Sequence, residues 1–182
     1  MKKLAITIMA AIIALTISPA TVFASNLPQS IFGIHDNSGA VHFNPAFAVG
    51  NNVFVEGERI GVLTVERLNC VVNVYEGATM RNMDSGAGRF EFSGANSGNT
   101  ALIGHNRGRT NGFFSFVKDL REGDLITLDM SGIVRTYVVT HSIIVSETNF
   151  EPLMEFGHNR LSLVTCLAYR PRYREIAIAV EI

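Results

Sequence analysis

The sequence has almost no net charge and very little cysteine. Its 15 Lys and Arg residues against 16 Asp and Glu residues give a formal net charge of −1. Without a surplus of positive charge, the composition gives no electrostatic basis for nucleic-acid binding. Internal repeats and low-complexity tracts are also absent from the sequence. Cys70 and Cys166 are the two cysteines, and a chain of 182 residues can bury a hydrophobic core without disulfides.

The first 24 residues have the pattern of an export signal. Lys2 and Lys3 precede an uncharged run, 4–24, which ends with small side chains at Val22 and Ala24, the two positions that a signal peptidase recognises. We expect cleavage after Ala24. The run is also long enough to span a bilayer, so an uncleaved membrane anchor is the alternative. In both cases the remainder is expected outside the cytoplasm, at the cell surface or secreted.

The rest of the chain divides into an arm and one domain. Segment 25–52 is rich in Asn, Gly, Ser and Pro, which predicts an irregular N-terminal arm. Segment 53–182 carries short β-branched runs, two helix-like segments at 112–120 and 148–156, and a long Gly/Ser/Asn loop at 80–99. This pattern predicts an all-β fold, a closed β-barrel of seven to eight strands with one or two short helices. The predicted strands are 59–68, 71–77, 100–105, 124–130, 135–145, 161–166 and 175–182.

Cys166 has the surroundings of a reactive thiol. It ends the predicted strand "LSLVTC" and is followed by Arg170, Arg172 and Arg174. Positive charge lowers the pKa of a thiol and favours the nucleophilic thiolate. Cys70 lies within an apolar run, which favours a structural role. A disulfide between the two cysteines of an exported chain is the alternative, and their spacing does not decide it.

A cysteine nucleophile needs a partner for proton transfer, and that partner is most often histidine. Of the five histidines, His105 is the best placed, because "TALIGHNRG" puts it at the end of an apolar strand that enters a polar loop. The other four lie in the arm, within a strand or in a polar turn, where surface or core roles are expected.

Arg174 is the candidate for electrostatic stabilisation. It begins the predicted final strand, at the top of a row of side chains expected to face into the barrel. An arginine stays protonated, so at a barrel rim it could hold a carbonyl or a developing oxyanion. Strand alternation gives Arg172 the same direction, which makes it a rival. Pro171 and Tyr173 favour Arg174, since they suggest that the loop is still turning at 172.

These elements, in this order, resemble the sortase family. The resemblance rests on "NSGNTALIGHN", on "LSLVTC" with its cysteine 61 residues after His105, and on a following strand that begins with arginine. The segments "IGVLTVERLNCVVNVYEGAT" and "FFSFVKDLREGDLITL" also resemble the family, and coverage extends from about Glu58 to Ile182. Glu66 stands where the family usually has proline, Arg89 where histidine is usual, and "SGANSGN" lacks the customary Pro-Gly, so the subclass stays open.

The resemblance implies a sortase-type cysteine transpeptidase. Its substrate would be a surface or pilin protein with a C-terminal LPxTG-like sorting signal, cleaved at a Thr-Gly-type bond. An amine from a peptidoglycan precursor or a pilin lysine would then take the acyl group, and the enzyme is expected to act as a monomer. The implied roles are nucleophile for Cys166, general acid/base for His105, catalytic arginine for Arg174, and substrate binding for Thr165, Arg172 and Asn106.

Two further expectations concern metals and competing functions. Some sortases bind calcium, and several acidic residues could supply oxygen ligands, but solvated acidic loops are the simpler expectation and no cofactor is predicted. The alternative function is a non-catalytic exported β-barrel that binds peptide, or a structural surface domain with a Cys70–Cys166 disulfide. The acidic residues in question are Asp84, Glu91, Glu147, Glu151 and Glu155.

Overall fold

A computed structural model describes residues 54–107 and 112–182. The predicted export segment 1–24 and the predicted arm 25–52 therefore lie outside the described residues. Within those two described ranges, no helix is both long and apolar enough to cross a membrane.

The described residues form a closed barrel of eight strands, in the order β1-β2-β3-β4-β7-β8-β6-β5 around the barrel. Neighbouring strands are antiparallel except for two parallel pairs, β2 with β3 and β4 with β7. The second parallel pair matters most for function, because it brings the C-terminal ends of two strands together. The strands are β1 Arg59–Val65, β2 Cys70–Glu76, β3 Ala87–Arg89, β4 Asn99–Gly104, β5 Leu125–Met130, β6 Ile133–Ser146, β7 Arg160–Leu167 and β8 Arg170–Glu181.

The barrel encloses one hydrophobic core and carries a second cluster outside. Every strand contributes to the first cluster, as Leu63 of β1, Leu102 of β4 and Ala177 of β8 illustrate, which identifies it as the barrel interior. The second cluster includes Val164 of β7 and Ile176 of β8. Its strand residues have the opposite parity to the interior residues, so it lies on the outer face of β4, β7 and β8. The α-helix α1 (Met80–Met83) and a 3-10 helix at Glu151–Leu153 contribute to this outer cluster.

The predicted all-β barrel is confirmed, and the seven predicted strands are all present. The missed strand is β3, which lies in the segment predicted as a loop. Its three residues, Ala-Gly-Arg, have no β-branched side chain, and it becomes a strand through pairing with β2 and β4. The helix-like segments 112–120 and 148–156 contain only 3-10 helices, at Val117–Asp119 and Glu151–Leu153, whereas α1 lies in the predicted loop.

Two expectations about the final strand are wrong. β8 begins at Arg170, four residues before Arg174, because a tight turn of two residues follows Leu167. The row that contains Arg174 also faces outward rather than inward, since Ile176 and Ile178 belong to the outer cluster. Arg174 therefore lies at the head of an outer face, where β4, β7 and β8 can form the floor of a binding surface.

Candidate active site

His105 and Cys166 emerge from adjacent strand ends. β4 and β7 run parallel, and Gly104 pairs with Thr165, so His105 and Cys166 are the next residues along the two strands. Two hydrogen bonds join these ends. Thr165 Oγ1 donates to the Gly104 carbonyl at 2.8 Å, and Asn106 Nδ2 donates to the Cys166 carbonyl at 3.1 Å. The relative position of the histidine and the thiol is thus fixed by the fold and by side chains on both strands.

Thr165 takes part in this alignment. Its side chain has the parity of the interior face, the residue is 1% exposed, and its hydroxyl is used in the bond to Gly104. The substrate contact predicted for Thr165 is therefore at odds with its burial. Asn106 is partly buried beside Cys166, which is compatible with the role predicted for it.

Arg174 lies directly opposite Cys166 in the β7–β8 pair. Its guanidinium is held from several sides. Nη1 donates to the carbonyls of Pro171 at 2.7 Å and Tyr173 at 3.0 Å, and Nη2 donates to the Glu147 carboxylate at 3.1 Å. The residue is only 5% exposed, so this is a positioned charge rather than a solvated one.

A bulge separates Arg174 from its rival Arg172. Cys166 pairs with Arg174, but Leu167 pairs with Arg170, so β8 carries three extra residues, 171–173, at this point. The pairing with β7 is interrupted here, whereas the pairing with β6 continues through Arg174 and Tyr173, so burial rather than strand parity distinguishes the two arginines. Arg172 is exposed in the bulge, whereas Arg174 is buried beside the thiol strand. Pro171 and Tyr173 do not mark a loop that is still turning at 172, because 172 lies within β8.

His105 sits in a largely desolvated position with one acidic neighbour. It is 6% exposed, and its Nε2 lies 3.2 Å from Asp84 Oδ1, which in turn lies 3.3 Å from Arg107 Nη1. At this distance the Asp84 carboxylate favours the protonated form of the imidazole. Desolvation lowers the pKa of His105, Arg107 lowers it further, and Asp84 opposes both.

Close packing against the core explains why a glycine, Gly104, precedes His105. A Cβ at Gly104 would lie 2.6 Å from Cγ of Phe114, whose ring is fully buried. Any side chain at 104 would displace either this ring or the end of β4. The "GH" pair seen in the sequence therefore places His105 by letting the chain pass close to the core.

Both cysteines are free thiols. The hypothesis of a structural domain with a Cys70–Cys166 disulfide is therefore wrong. Cys70 begins β2 and packs against the interior core, and its burial raises the pKa of its thiol. It is a structural thiol, as the sequence predicts, and Cys166 is the one beside a histidine and an arginine.

Three of the five acidic residues considered as calcium ligands have other partners. Asp84 faces His105, Glu147 binds Arg174, and Glu155 accepts a hydrogen bond from the Asn99 backbone at 3.1 Å. In the part of the chain that is described, no three His, Cys, Asp or Glu side chains are grouped so that they could hold a metal. The described acidic residues thus form no group suited to calcium, and the prediction that no cofactor is bound stays untested.

Together, the arrangement offers a thiol, an imidazole and a fixed guanidinium at one end of the barrel. This set can perform nucleophilic attack, proton transfer and oxyanion stabilisation. Asp84 and Glu147 are the partners that sequence reasoning missed as parts of this site. They are far in sequence from His105 and Arg174, and no local pattern signals either contact.

Comparison with known proteins gives consistent matches. Sortase A of Bacillus anthracis is 26% identical over 135 residues, which cover 74% of this chain and 64% of that protein. The chain thus spans less than two thirds of that relative's length. The solved structure of the pilus-related sortase C of Group B Streptococcus matches with a TM-score of 0.65 at 22% identity, over 76% of this chain and 81% of that chain. Sortase C of Streptococcus pneumoniae matches with a TM-score of 0.63 at 26% identity, over 69% and 66% of the two chains.

The family model of the sortase domain matches residues 63–182. This match covers most of the described barrel, including the strands that carry His105, Cys166 and Arg174. The chain therefore belongs to the sortase family.

Proposed function

We propose that the protein is a cysteine transpeptidase that cleaves an LPxTG-like sorting signal and joins the acyl product to an amine. The observation that carries the proposal is the strand pairing around Cys166. β4 brings His105 to one side of it, and β8 brings Arg174 directly opposite on the other. A structural thiol such as Cys70 has no such neighbours.

In the first step, the Cys166 thiolate attacks the carbonyl carbon of the scissile bond. The carbonyl electrons move to oxygen, and the resulting oxyanion is stabilised by the positive charge of Arg174. As the tetrahedral intermediate collapses, the C–N bond breaks and the imidazolium of His105 gives its proton to the leaving amine. The products are a thioester on Cys166 and a released C-terminal peptide.

In the second step, an acceptor amine attacks the thioester carbonyl. Neutral His105 takes the proton from this amine, the C–S bond breaks, and a new amide is formed. The low pKa of His105 suits this second role, since desolvation favours the neutral imidazole. Water in place of the amine would give hydrolysis, so the balance between the two outcomes depends on the acceptor.

The proposed acceptor is an amine of a peptidoglycan precursor or a pilin lysine, and the proposed donor is a surface or pilin protein. The pilus-related sortase C of Group B Streptococcus supports this substrate class by similarity of fold. The site of action would be the outer face of the cell membrane, in keeping with the export signal predicted for 1–24.

A peptide assay tests the proposal. The purified protein is incubated with a peptide that contains Leu-Pro-Ala-Thr-Gly, with and without an added amine, and the products are identified by mass spectrometry. We expect cleavage, transfer to the amine, and a hydroxylamine-sensitive adduct on Cys166. Cys166→Ala should abolish all three, and Cys70→Ala should retain them as the matched cysteine control. Cleavage by Cys166→Ala would refute the proposal, and binding without an adduct would favour the non-catalytic peptide-binding barrel.

A further inference from the structure

The turn between β7 and β8 has a feature that the barrel does not require. β7 ends at Leu167 and β8 begins at Arg170, which leaves Ala168 and Tyr169 as the turn. Tyr169 has a φ of 63°, in the left-handed region that bulky side chains rarely adopt, and its side chain is fully exposed. Glycine would adopt this conformation without strain. Folding alone thus gives no reason for a tyrosine here, and strained exposed residues often serve function.

Uncompensated positive charge surrounds this tyrosine. Arg170 and Arg172 are both exposed, and neither forms an ion pair with any residue in 54–107 or 112–182. Tyr173 is 45% exposed between Arg172 and Arg174. We call Tyr169, Arg170, Arg172 and Tyr173 the β7–β8 tip. It offers two guanidinium groups that form no ion pair with the described residues, and two exposed aromatic rings.

The backbone at the β7–β8 tip holds the side chain of Arg174 in position. The carbonyls of Pro171 and Tyr173, in the bulge, accept the hydrogen bonds of Arg174 Nη1. Arg174 lies opposite Cys166. A ligand held on the tip would therefore sit within a few residues of the thiol and would contact the segment that orients Arg174.

We infer that the β7–β8 tip binds a carboxylate side chain of the donor peptide, close to the scissile bond. The inference rests on the proposed function and adds a preference for acidic flanking residues. Arginine binds carboxylates through paired, charge-assisted hydrogen bonds, and exposed tyrosine rings pack against an extended peptide. The donor rather than the acceptor is chosen because the tip holds Arg174, the residue assigned to the donor carbonyl.

Binding and cleavage are measured separately. Labelled peptides contain Leu-Pro-Ala-Thr-Gly with Glu, Gln or Lys immediately before Leu or immediately after Gly. Their affinity for the full-length Cys166→Ala protein is measured by fluorescence anisotropy at low and high salt. An Arg170→Gln/Arg172→Gln variant removes the charges of the tip. An Arg59→Gln/Arg121→Gln variant removes two exposed arginine charges elsewhere and is the charge-matched control.

We expect a Glu peptide to bind about 3- to 10-fold more tightly than the matching Lys peptide, as two exposed ion pairs would give. This preference should shrink at high salt. It should disappear in Arg170→Gln/Arg172→Gln and persist in the control. Equal binding of the three peptides, no binding of the Glu peptide, or a preference unchanged by removing the two tip arginines would overturn the inference.

The outcome for the proposed function is distinct. Cleavage by the wild-type protein without a charge preference would leave the transpeptidase in place and remove only the role of the tip. A charge preference in binding without any cleavage by the wild-type protein would refute the transpeptidase and leave the role of the tip in place. An effect of the tip arginines on the amine transfer step alone would assign the tip to the acceptor and overturn the choice of donor.

The Tyr169→Gly variant tests whether the tyrosine ring contributes to peptide binding or to the stability of the fold. Glycine relieves the left-handed strain, so the midpoint of thermal unfolding should stay unchanged or rise. Binding of the Glu peptide should still weaken several-fold, because the ring is gone. A fall in the unfolding midpoint would show that Tyr169 serves the fold, which contradicts the role given to it here.

Discussion

Asp84 Oδ1 lies 3.2 Å from His105 Nε2, which links the end of α1 to the end of β4. Asp84 is the C-terminal cap of α1, and the helix is anchored by Asn82, whose Nδ2 donates to the carbonyls of Glu76 at 2.7 Å and Gly77 at 2.8 Å. The carboxylate is therefore presented to the imidazole from a fixed base. Its charge is the main local influence that favours a protonated His105, against desolvation and Arg107.

Changing the two charged neighbours should move the pKa of His105 in opposite directions. Asp84→Asn removes the group that raises this pKa, so the pKa should fall further. Arg107→Gln removes a group that lowers it, so the pKa should rise. An NMR titration of the imidazole measures the shifts directly. The limb of the pH–rate profile for thioester formation that is governed by His105 should move in the same two directions.

Because Asp84→Asn and Arg107→Gln should shift the pKa of His105 in opposite directions, each variant is a control for the other. A general loss of structure would lower activity in both variants without moving the titration in two directions. Shifts of the same sign, or no shift in either variant, would contradict the charge interaction.

Arg174→Lys should lower kcat/KM by about 100- to 1,000-fold, the usual effect of losing a positioned oxyanion donor. Lysine keeps the charge but cannot reproduce the bonds to Pro171, Tyr173 and Glu147 that orient the planar guanidinium. Activity is measured by peptide cleavage, and folding is checked by circular dichroism. Arg172→Lys is the matched control and should stay near wild type with a peptide that has no acidic residue beside the motif. A larger loss in Arg172→Lys than in Arg174→Lys would reverse the assignment of the two arginines.

Strand ends could be predicted from the sequence, but contacts across the chain could not. His105 and Cys166 each follow an apolar run, and this pattern predicts their positions at the ends of strands. The bulge at 171–173 cannot be predicted in this way, because it depends on the pairing of β8 with both β6 and β7. β3 and the Asp84–His105 contact likewise arise from packing between segments that have no local signal of their own.

The buried ion pair of Glu76 and Arg89 should be important for stability. Arg89 binds both carboxylate oxygens, at 2.6 and 2.7 Å, and also donates to the Ser93 carbonyl. Both side chains are buried inside one end of the barrel. Arg89→Met leaves the carboxylate buried and unpaired, and should lower the free energy of unfolding by about 3–5 kcal/mol, measured in urea.

The double variant Glu76→Leu/Arg89→Met is the control for that prediction. It removes both charges, and replacement of a buried pair by apolar side chains is often close to neutral. Its stability should therefore be well above that of Arg89→Met. A single variant that loses less than about 1 kcal/mol would mean that solvent reaches Glu76 in the folded protein.

Glu91 should make the fold less stable at neutral and alkaline pH. Its burial, and secondly the nearby Glu76 and Glu56, raise its pKa to about 7, and its Oε2 is buried without a hydrogen-bond partner among the described residues. Since the folded pKa lies above the unfolded value of about 4.3, the folded state holds more protons between these values, and stability falls as pH rises through this window. Glu91→Gln should therefore raise the free energy of unfolding by about 1–2 kcal/mol at pH 8, after allowance for partial solvent exposure, and have little effect near pH 4.5. Urea unfolding at the two pH values measures this, and Glu122→Gln, at an exposed position, is measured in parallel as a control. Equal effects of Glu91→Gln at both pH values would mean that the carboxylate is ionised without cost in the folded protein.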